Sequence, residues 1–210
     1  MSNPPSIECK VDGPYLVKDL DALANSKAEA IPCKPVMALC RCGGSATKPF
    51  CDGTHKKSGF SGARQTGAAV AKRDAYRGKK ITITDDRAIC AHSGHCTDSL
   101  AAVFKFGSDP WIDPDGAGIE AIIEAVRKCP SGALGYALAD VEGPEQHREP
   151  GITVTKDGPY AVVGRIPLAG QSAGEIAATE CYTLCRCGGS KNKPFCDGTH
   201  SSIGFKDEKN

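Results

Sequence analysis

Cys40-Arg41-Cys42-Gly43-Gly44-Ser45-Ala46-Thr47-Lys48-Pro49-Phe50-Cys51-Asp52-Gly53-Thr54-His55 returns, nearly letter for letter, from Cys185 to His200. Each copy reads Cys-x-Cys, eight residues, Cys, three residues, His, so three cysteines and one histidine stand within reach of a common centre. Four such side chains in so short a stretch make a metal-ligand set. The repeat extends beyond the ligands at a constant offset of 145, from Cys40 to Cys185. Asp12-Gly13-Pro14-Tyr15 matches Asp157-Gly158-Pro159-Tyr160, and Gly59-Phe60 matches Gly204-Phe205, with no gap between turn and motif. The duplicated unit is therefore a small domain rather than a loop.

The rest of the composition is ordinary. Of 210 residues 40% are apolar and 24% charged, with a net charge of +1. That balance offers no electrostatic case for nucleic acid or an anionic membrane. No apolar run reaches bilayer length. The first ten residues lack the apolar core of a signal peptide, so a cytoplasmic protein is expected. Twelve cysteines are many for such a chain. In a reducing compartment clustered cysteines bind metal more often than they pair as disulfides. Nine fall in three candidate sites. Cys9, Cys33 and Cys181 are left over and read as small packed hydrophobes.

Three domains are expected, at 1–62, 76–139 and 150–210, in an A–B–A′ plan. Within the first, 7–11 and 15–17 read as strands around the Gly13-Pro14 turn, and Met37-Ala38-Leu39 as a strand end. Residues 61–75 and 140–151 read as linkers. In the centre, 80–84 alternates as a strand, 99–106 as a short helix, and 133–138 as a second strand. Ile119, Ile122, Ile123 and Val126 recur at helical spacing, predicting a helix over 118–128 that Cys129-Pro130 ends. The two central strands are expected to run antiparallel in one sheet.

Four ligands suit either one tetrahedral zinc or a [2Fe–2S] cluster with two ligands on each iron. Cys40 and Cys42 would then hold one iron, Cys51 and His55 the other. Asp52 is placed to cap a helix from Gly53 that orients His55. Gly43, Gly44 and Gly53 let backbone amides approach the sulfides. Spacing alone favours neither metal.

Both segments resemble the CDGSH iron–sulfur family, the mitoNEET-like proteins, whose pattern is Cys-x-Cys-x2-Ser/Thr-x3-Pro-x-Cys-Asp-Gly-Ser/Ala/Thr-His. Every defined position matches: Cys40, Cys42, Ser45, Pro49, Cys51, Asp52, Gly53, Thr54, His55, and Cys185, Cys187, Ser190, Pro194, Cys196, Asp197, Gly198, Thr199, His200. The resemblance implies a redox-active [2Fe–2S] cluster in each copy, held by three cysteines and one histidine. A neutral imidazole in place of a thiolate makes a cluster easier to reduce. Two-histidine Rieske centres lie at roughly −150 to +300 mV against about −400 mV for plant-type ferredoxins, and one histidine should fall between.

A third ligand set comprises Cys90, Cys96 and Cys129, in Cys90-Ala91-His92-Ser93-Gly94-His95-Cys96 and Cys129-Pro130. It resembles the single-cluster ferredoxins, with Ser93 where the full pattern has a further cysteine, over about 76–138. The resemblance implies a [3Fe–4S] cluster, or a [4Fe–4S] cluster with a non-cysteine fourth ligand from His92 or His95.

The expected fold is α+β: two small β-rich CDGSH domains as a pseudo-two-fold pair around an inserted ferredoxin-like module. MitoNEET-like proteins are homodimers of one such domain, and about fifty residues bury little core alone. Two tandem copies satisfy that pairing within a monomer. The expected function is single-electron transfer between unidentified redox proteins. The alternatives are a cluster carrier or store that releases its histidine-ligated clusters to acceptor proteins, and the redox subunit of an enzyme whose partner holds the catalytic site. No catalytic triad, carboxylate pair or phosphate loop is visible, so an autonomous enzyme is not expected. His147 reads as solvated and Trp111 as core.

Overall fold

The structure, a computed structural model, describes residues 3–65, 73–144, 146–173, 180–208 and 210. It is built of small sheets with few helices. The first outer unit contributes β1 (Ser6–Cys9), β2 (Tyr15–Lys18), β3 (Leu23–Ala24) and β4 (Val36–Leu39). The central module follows with β5 (Arg73–Arg77), β6 (Thr82–Asp86), α1 (His95–Ser99), α2 (Ile119–Arg127), β7 (Leu134–Leu138) and β8 (Val141–Glu142). The second outer unit holds β9 (Gly151–Val154), β10 (Tyr160–Val163), β11 (Leu168–Gly170), β12 (Cys181–Leu184) and α3 (Thr199–Ser202).

Each outer sheet borrows a strand. Their orders are β11-β1-β2-β4 and β12-β10-β9-β3. The borrowed strands run parallel to their hosts, Ile7 opposite Leu168 in one sheet and Leu23 opposite Ile152 in the other. These two pairings turn into each other under the 145-residue offset. β1, β2, β9 and β10 alternate buried with half-buried or exposed residues, as a half-buried strand requires. Their inward side chains, with those of β4 and β12, form one core drawn from both units, including Ile7, Tyr15, Val17, Leu39, Ile152, Tyr160, Val162 and Leu184. Pooling the faces gives each small unit a core that it could not bury alone.

The pairing is sealed by two tyrosines. Tyr15 Oη donates to the carbonyls of Cys185 (2.9 Å) and Pro194 (3.0 Å). Tyr160 Oη does the same to Cys40 (2.9 Å) and Pro49 (3.0 Å). Their rings meet edge to face at 6.1 Å. Cys42 and Cys187, again related by the offset, form an antiparallel bridge with each other. Gly43 and Gly188 make that approach possible. Both have positive φ, and a Cβ on either would lie 2.5 Å from the opposite carbonyl oxygen.

The central module has a separate core and an antiparallel sheet, β5-β6-β7-β8. β6 and β7 pair antiparallel, Thr82 opposite Ala137, and α2 lays Ile122, Ala125 and Val126 into the core. Three sequence expectations change. Residues 73–75, read as linker, belong to β5, and 141–142 form β8; 66–72 lie outside the described residues. The strand expected over 80–84 is β6, which begins at Thr82, two residues later than expected. The short helix over 99–106 is instead α1 at His95–Ser99. The following residues turn back so that Val103 and Phe104 are buried while Phe106 is 93% exposed. No described helix is long and apolar enough to cross a membrane.

Candidate metal centres

In each outer unit the first two cysteines leave the end of the last strand, β4 or β12, and the third follows the Lys-Pro-Phe turn. Cys51 N–H donates to the Ala38 carbonyl and Cys196 N–H to that of Thr183, tying the third cysteine to the same strand. Ser45 and Ser190 brace the turn by donating to the carbonyls of Phe50 and Phe195 at 2.6 and 2.7 Å. Lys48 and Lys193 reach the carbonyls of Ser45 and Ser190, both at 2.7 Å.

The aspartates stand one residue before the cap position expected of them, which Gly53 and Gly198 occupy without a side-chain cap. Asp52 accepts from Thr54 N–H (3.0 Å) and Ala46 N–H (2.8 Å), and Asp197 from Thr199 (3.1 Å) and Lys191 (2.9 Å). The helix they start is one 3-10 turn, Thr54–Lys56, in the first unit and the short α3 in the second. The residue preceding each is a glycine with positive φ, Gly53 or Gly198.

The donor geometry fits a paired arrangement. Cys40 Sγ and Cys42 Sγ lie 3.9 Å apart, and Cys185 Sγ and Cys187 Sγ 3.8 Å. Two thiolates on one tetrahedral metal with bonds of about 2.3 Å stand about 3.8 Å apart. Cys196 Sγ and His200 Nδ1 form the second pair, 3.3 Å apart. Among the described residues no three His, Cys, Asp or Glu side chains converge on a single ion. Backbone amides point at the sulfurs, Gly53 N–H at Cys51 Sγ and Gly189 N–H at Cys187 Sγ, both at 3.4 Å. Such donors favour a thiolate and its bound cluster.

Burial pushes the Cys40 thiol up to about 11 and the Cys196 thiol to about 12. Cys187 moves the other way, because Cys185 shares its proton with it, while that same contact and burial hold Cys185 up. Loading either site therefore displaces protons.

The two histidines are turned differently. His55 Nδ1 lies 2.9 Å from the Asp12 carbonyl, which can only accept, so Nδ1 carries the proton in that orientation. His200 Nδ1 faces Cys196 instead, and burial lowers the pKa of His200. Cys51 is half-buried, whereas its counterpart Cys196 is 3% exposed.

Sequence reading missed the arginine inside each Cys-x-Cys. Arg41 and Arg186 are each 1% exposed. Arg186 pairs with Asp207 and donates to the carbonyls of Gly158 and Thr155. Arg41 has Gln171 and the carbonyls of Lys10 and Gly62. The signal was present, since arginine recurs at the same place in both copies, but a charged residue reads as surface.

In the centre, Cys90 and Cys96 flank the loop before and into α1, and Cys129 follows α2. Burial raises the Cys90 and Cys96 thiols, and the proximity of Cys129 raises both further. The three therefore share one locality. Arg87 donates to Cys90 Sγ at 3.5 Å and lies over the Trp111 ring at 4.3 Å. Trp111 is partly buried against the central core. His92 packs on Gly198 of the second outer unit, and His95 is exposed. Of the leftover cysteines, Cys9 and Cys181 are buried and Cys33 half-buried. His147 is exposed.

Motif, fold and donor set together define an iron–sulfur protein with two matched outer sites and one dissimilar central site. The chain belongs to the CDGSH family: residues 12–56 and 157–201 both match the family described as "Iron-binding zinc finger CDGSH type". Residues 76–139, between them, match "Divergent 4Fe-4S mono-cluster". The chain is similar to the uncharacterized protein YjdI of Escherichia coli (strain K12) and that of Escherichia coli O157:H7. Identity to each is 39% over 61 residues, 29% of this chain and 80% of the relative. No solved structure matches.

Proposed function

We propose that this chain is a single-electron carrier with a [2Fe–2S] cluster in each outer unit. The ligands are Cys40, Cys42, Cys51 and His55 in the first, and Cys185, Cys187, Cys196 and His200 in the second. Cys90, Cys96 and Cys129 hold a third cluster, [3Fe–4S] or [4Fe–4S], in a module of ferredoxin-like order: strand, cysteine loop, helix, Cys-Pro, strand. When bound, such clusters accept and return one electron at a time.

The observation that carries the reading is the pairing of donors: Cys40 with Cys42 and Cys185 with Cys187, at sulfur separations of 3.9 and 3.8 Å, and Cys196 with His200 in the second unit. Zinc would need all four ligands on one ion. The protein's part is to hold the donors in place from buried strand ends and to aim amides at the sulfurs. We further propose that the chain has no active site of its own and works with separate redox proteins.

The half-burial of Cys51 and the turned His55 favour a second reading for the first unit, release of its cluster to an acceptor protein. Anaerobic purification of the full chain, followed by iron, sulfide and zinc analysis and EPR, tests both. Iron and sulfide in near-equal amounts with reversible reduction support the carrier. Zinc as the only metal after iron-replete expression overturns it. Transfer of intact cluster to an apo-ferredoxin supports the second reading.

A further inference from the structure

The two outer sites match in sequence but not in surroundings, and the difference comes from the central module. Its ligand loops lean on the second outer unit at three places. His92, between the ligands Cys90 and Cys96, covers Gly198, where an added Cβ would lie 2.9 Å from His92 Cβ. Asn192 donates to the carbonyl of Ala88, two residues before Cys90. Cys181 Sγ contacts the carbonyl of the third ligand, Cys129, at 3.7 Å. A cavity of about 340 Å³, lined by Cys129, Tyr136, Arg148 and Glu180 among others, opens along the same seam.

The first unit presents the equivalent positions to open space. Gly53, the counterpart of Gly198, has nothing within 4 Å of its would-be Cβ among the described residues. Val36, the counterpart of Cys181, is 55% exposed against 8%. From the second unit the chain of contacts continues across the Cys42–Cys187 bridge to the ligand loop of the first.

We propose that the second outer site is an internal relay, the direct electron-exchange partner of the central site, and that among the described residues the first outer site is joined to the centre only through it. This rests on the reading that all three sites hold clusters. One electron leaves the reduced central site, which is oxidised by one unit, and reduces the second outer site by one. No bond breaks and no proton moves. A one-electron carrier protein supplies the electron in function, and dithionite supplies it in the test.

The test is EPR of the full chain, reduced stepwise with dithionite. The central signal should show spin–spin broadening and faster relaxation from one outer centre. Cys185→Ser with Cys187→Ser should abolish that interaction, and Cys40→Ser with Cys42→Ser should leave it intact. Should either pair unfold the chain by circular dichroism, His55→Cys and His200→Cys each keep four ligands and shift one outer signal. The interacting signal should then be the one that moves with His200→Cys. Interaction that survives loss of the second site, vanishes with the first, or follows His55→Cys overturns the relay. Three reducible but magnetically isolated centres overturn it while leaving the carrier reading in place. A chain without iron and sulfide overturns both.

Discussion

At the scale of single residues, acid should attack the outer sites through their histidines. Protonated imidazole leaves iron, whereas a thiolate holds on to lower pH. His55→Cys with His200→Cys should therefore slow acid-induced loss of the outer clusters' visible absorbance. The added negative charge should also lower their reduction potentials. Unchanged loss and potential would mean that the histidines are not ligands. Between the natural sites, the second should outlast the first, because burial lowers the pKa of His200 and Cys196 is nearly inaccessible.

Asp85 is the other residue with a clear pH signature. It is 1% exposed, its Oδ1 has no partner, and Oδ2 lies 3.4 Å from Arg87 Nε. Burial raises its pKa from 3.8 to about 6, against the lowering effect of Arg87. The folded state thus keeps a proton that the unfolded chain has already lost, so stability falls as pH rises from about 4 to 6 and is then level. Asp85→Asn should stabilise the protein by about 3 kcal/mol at pH 7, with the gain gone by pH 4. Denaturation of both proteins at each pH measures the difference, in which cluster loss cancels.

At the scale of elements, the tyrosine pair is the test of the strand exchange. Tyr15→Phe or Tyr160→Phe removes a hydroxyl that serves two carbonyls of the opposite unit. Each should cost about 1–3 kcal/mol in chemical denaturation, since the buried carbonyl of Cys185 or Cys40 loses its hydroxyl donor, while those of Pro194 and Pro49 keep a backbone amide. A loss near zero would mean that water serves those carbonyls equally well.

The same scale shows where sequence reading works. The Cys-x-Cys…Cys…His motifs were legible because their cysteines, histidines and glycines keep the same spacing in both copies. α2 was legible from its apolar spacing. β3 and β11 were not, because two or three residues carry no period and their partners lie in the other unit. β5 is an edge strand with only Tyr76 half-buried, so its Arg-Asp-Ala-Tyr-Arg run shows no alternation, and its first three residues read as linker. The apolar run at 99–106 mimics a helix, yet its buried members are gathered by a turn bridged through Phe104 and Ile112. The central histidines read as ligand candidates because they flank cysteines, and only the fold places His92 against another unit.

At the scale of the whole molecule, the exchanged strands occupy both pairing surfaces within one chain. The loaded protein should therefore run as a monomer near 21.9 kDa by light scattering. A concentration-dependent dimer would point to strands swapped between chains. The short path between copies makes the internal partner win, because its effective concentration is far above that of a second molecule.

The fusion of two copies has a further consequence, visible at Gly62 and Asp207. These positions correspond under the 145-residue offset, yet only the second gives its arginine a carboxylate. In an assembly of identical chains every substitution appears twice, and a gain at one cofactor is bound to its copy at the other. A single chain that folds onto itself is released from that tie. Its two halves can drift apart in charge, exposure and neighbours while the shared core keeps them paired, so duplication here opens a route to division of labour between once-identical sites.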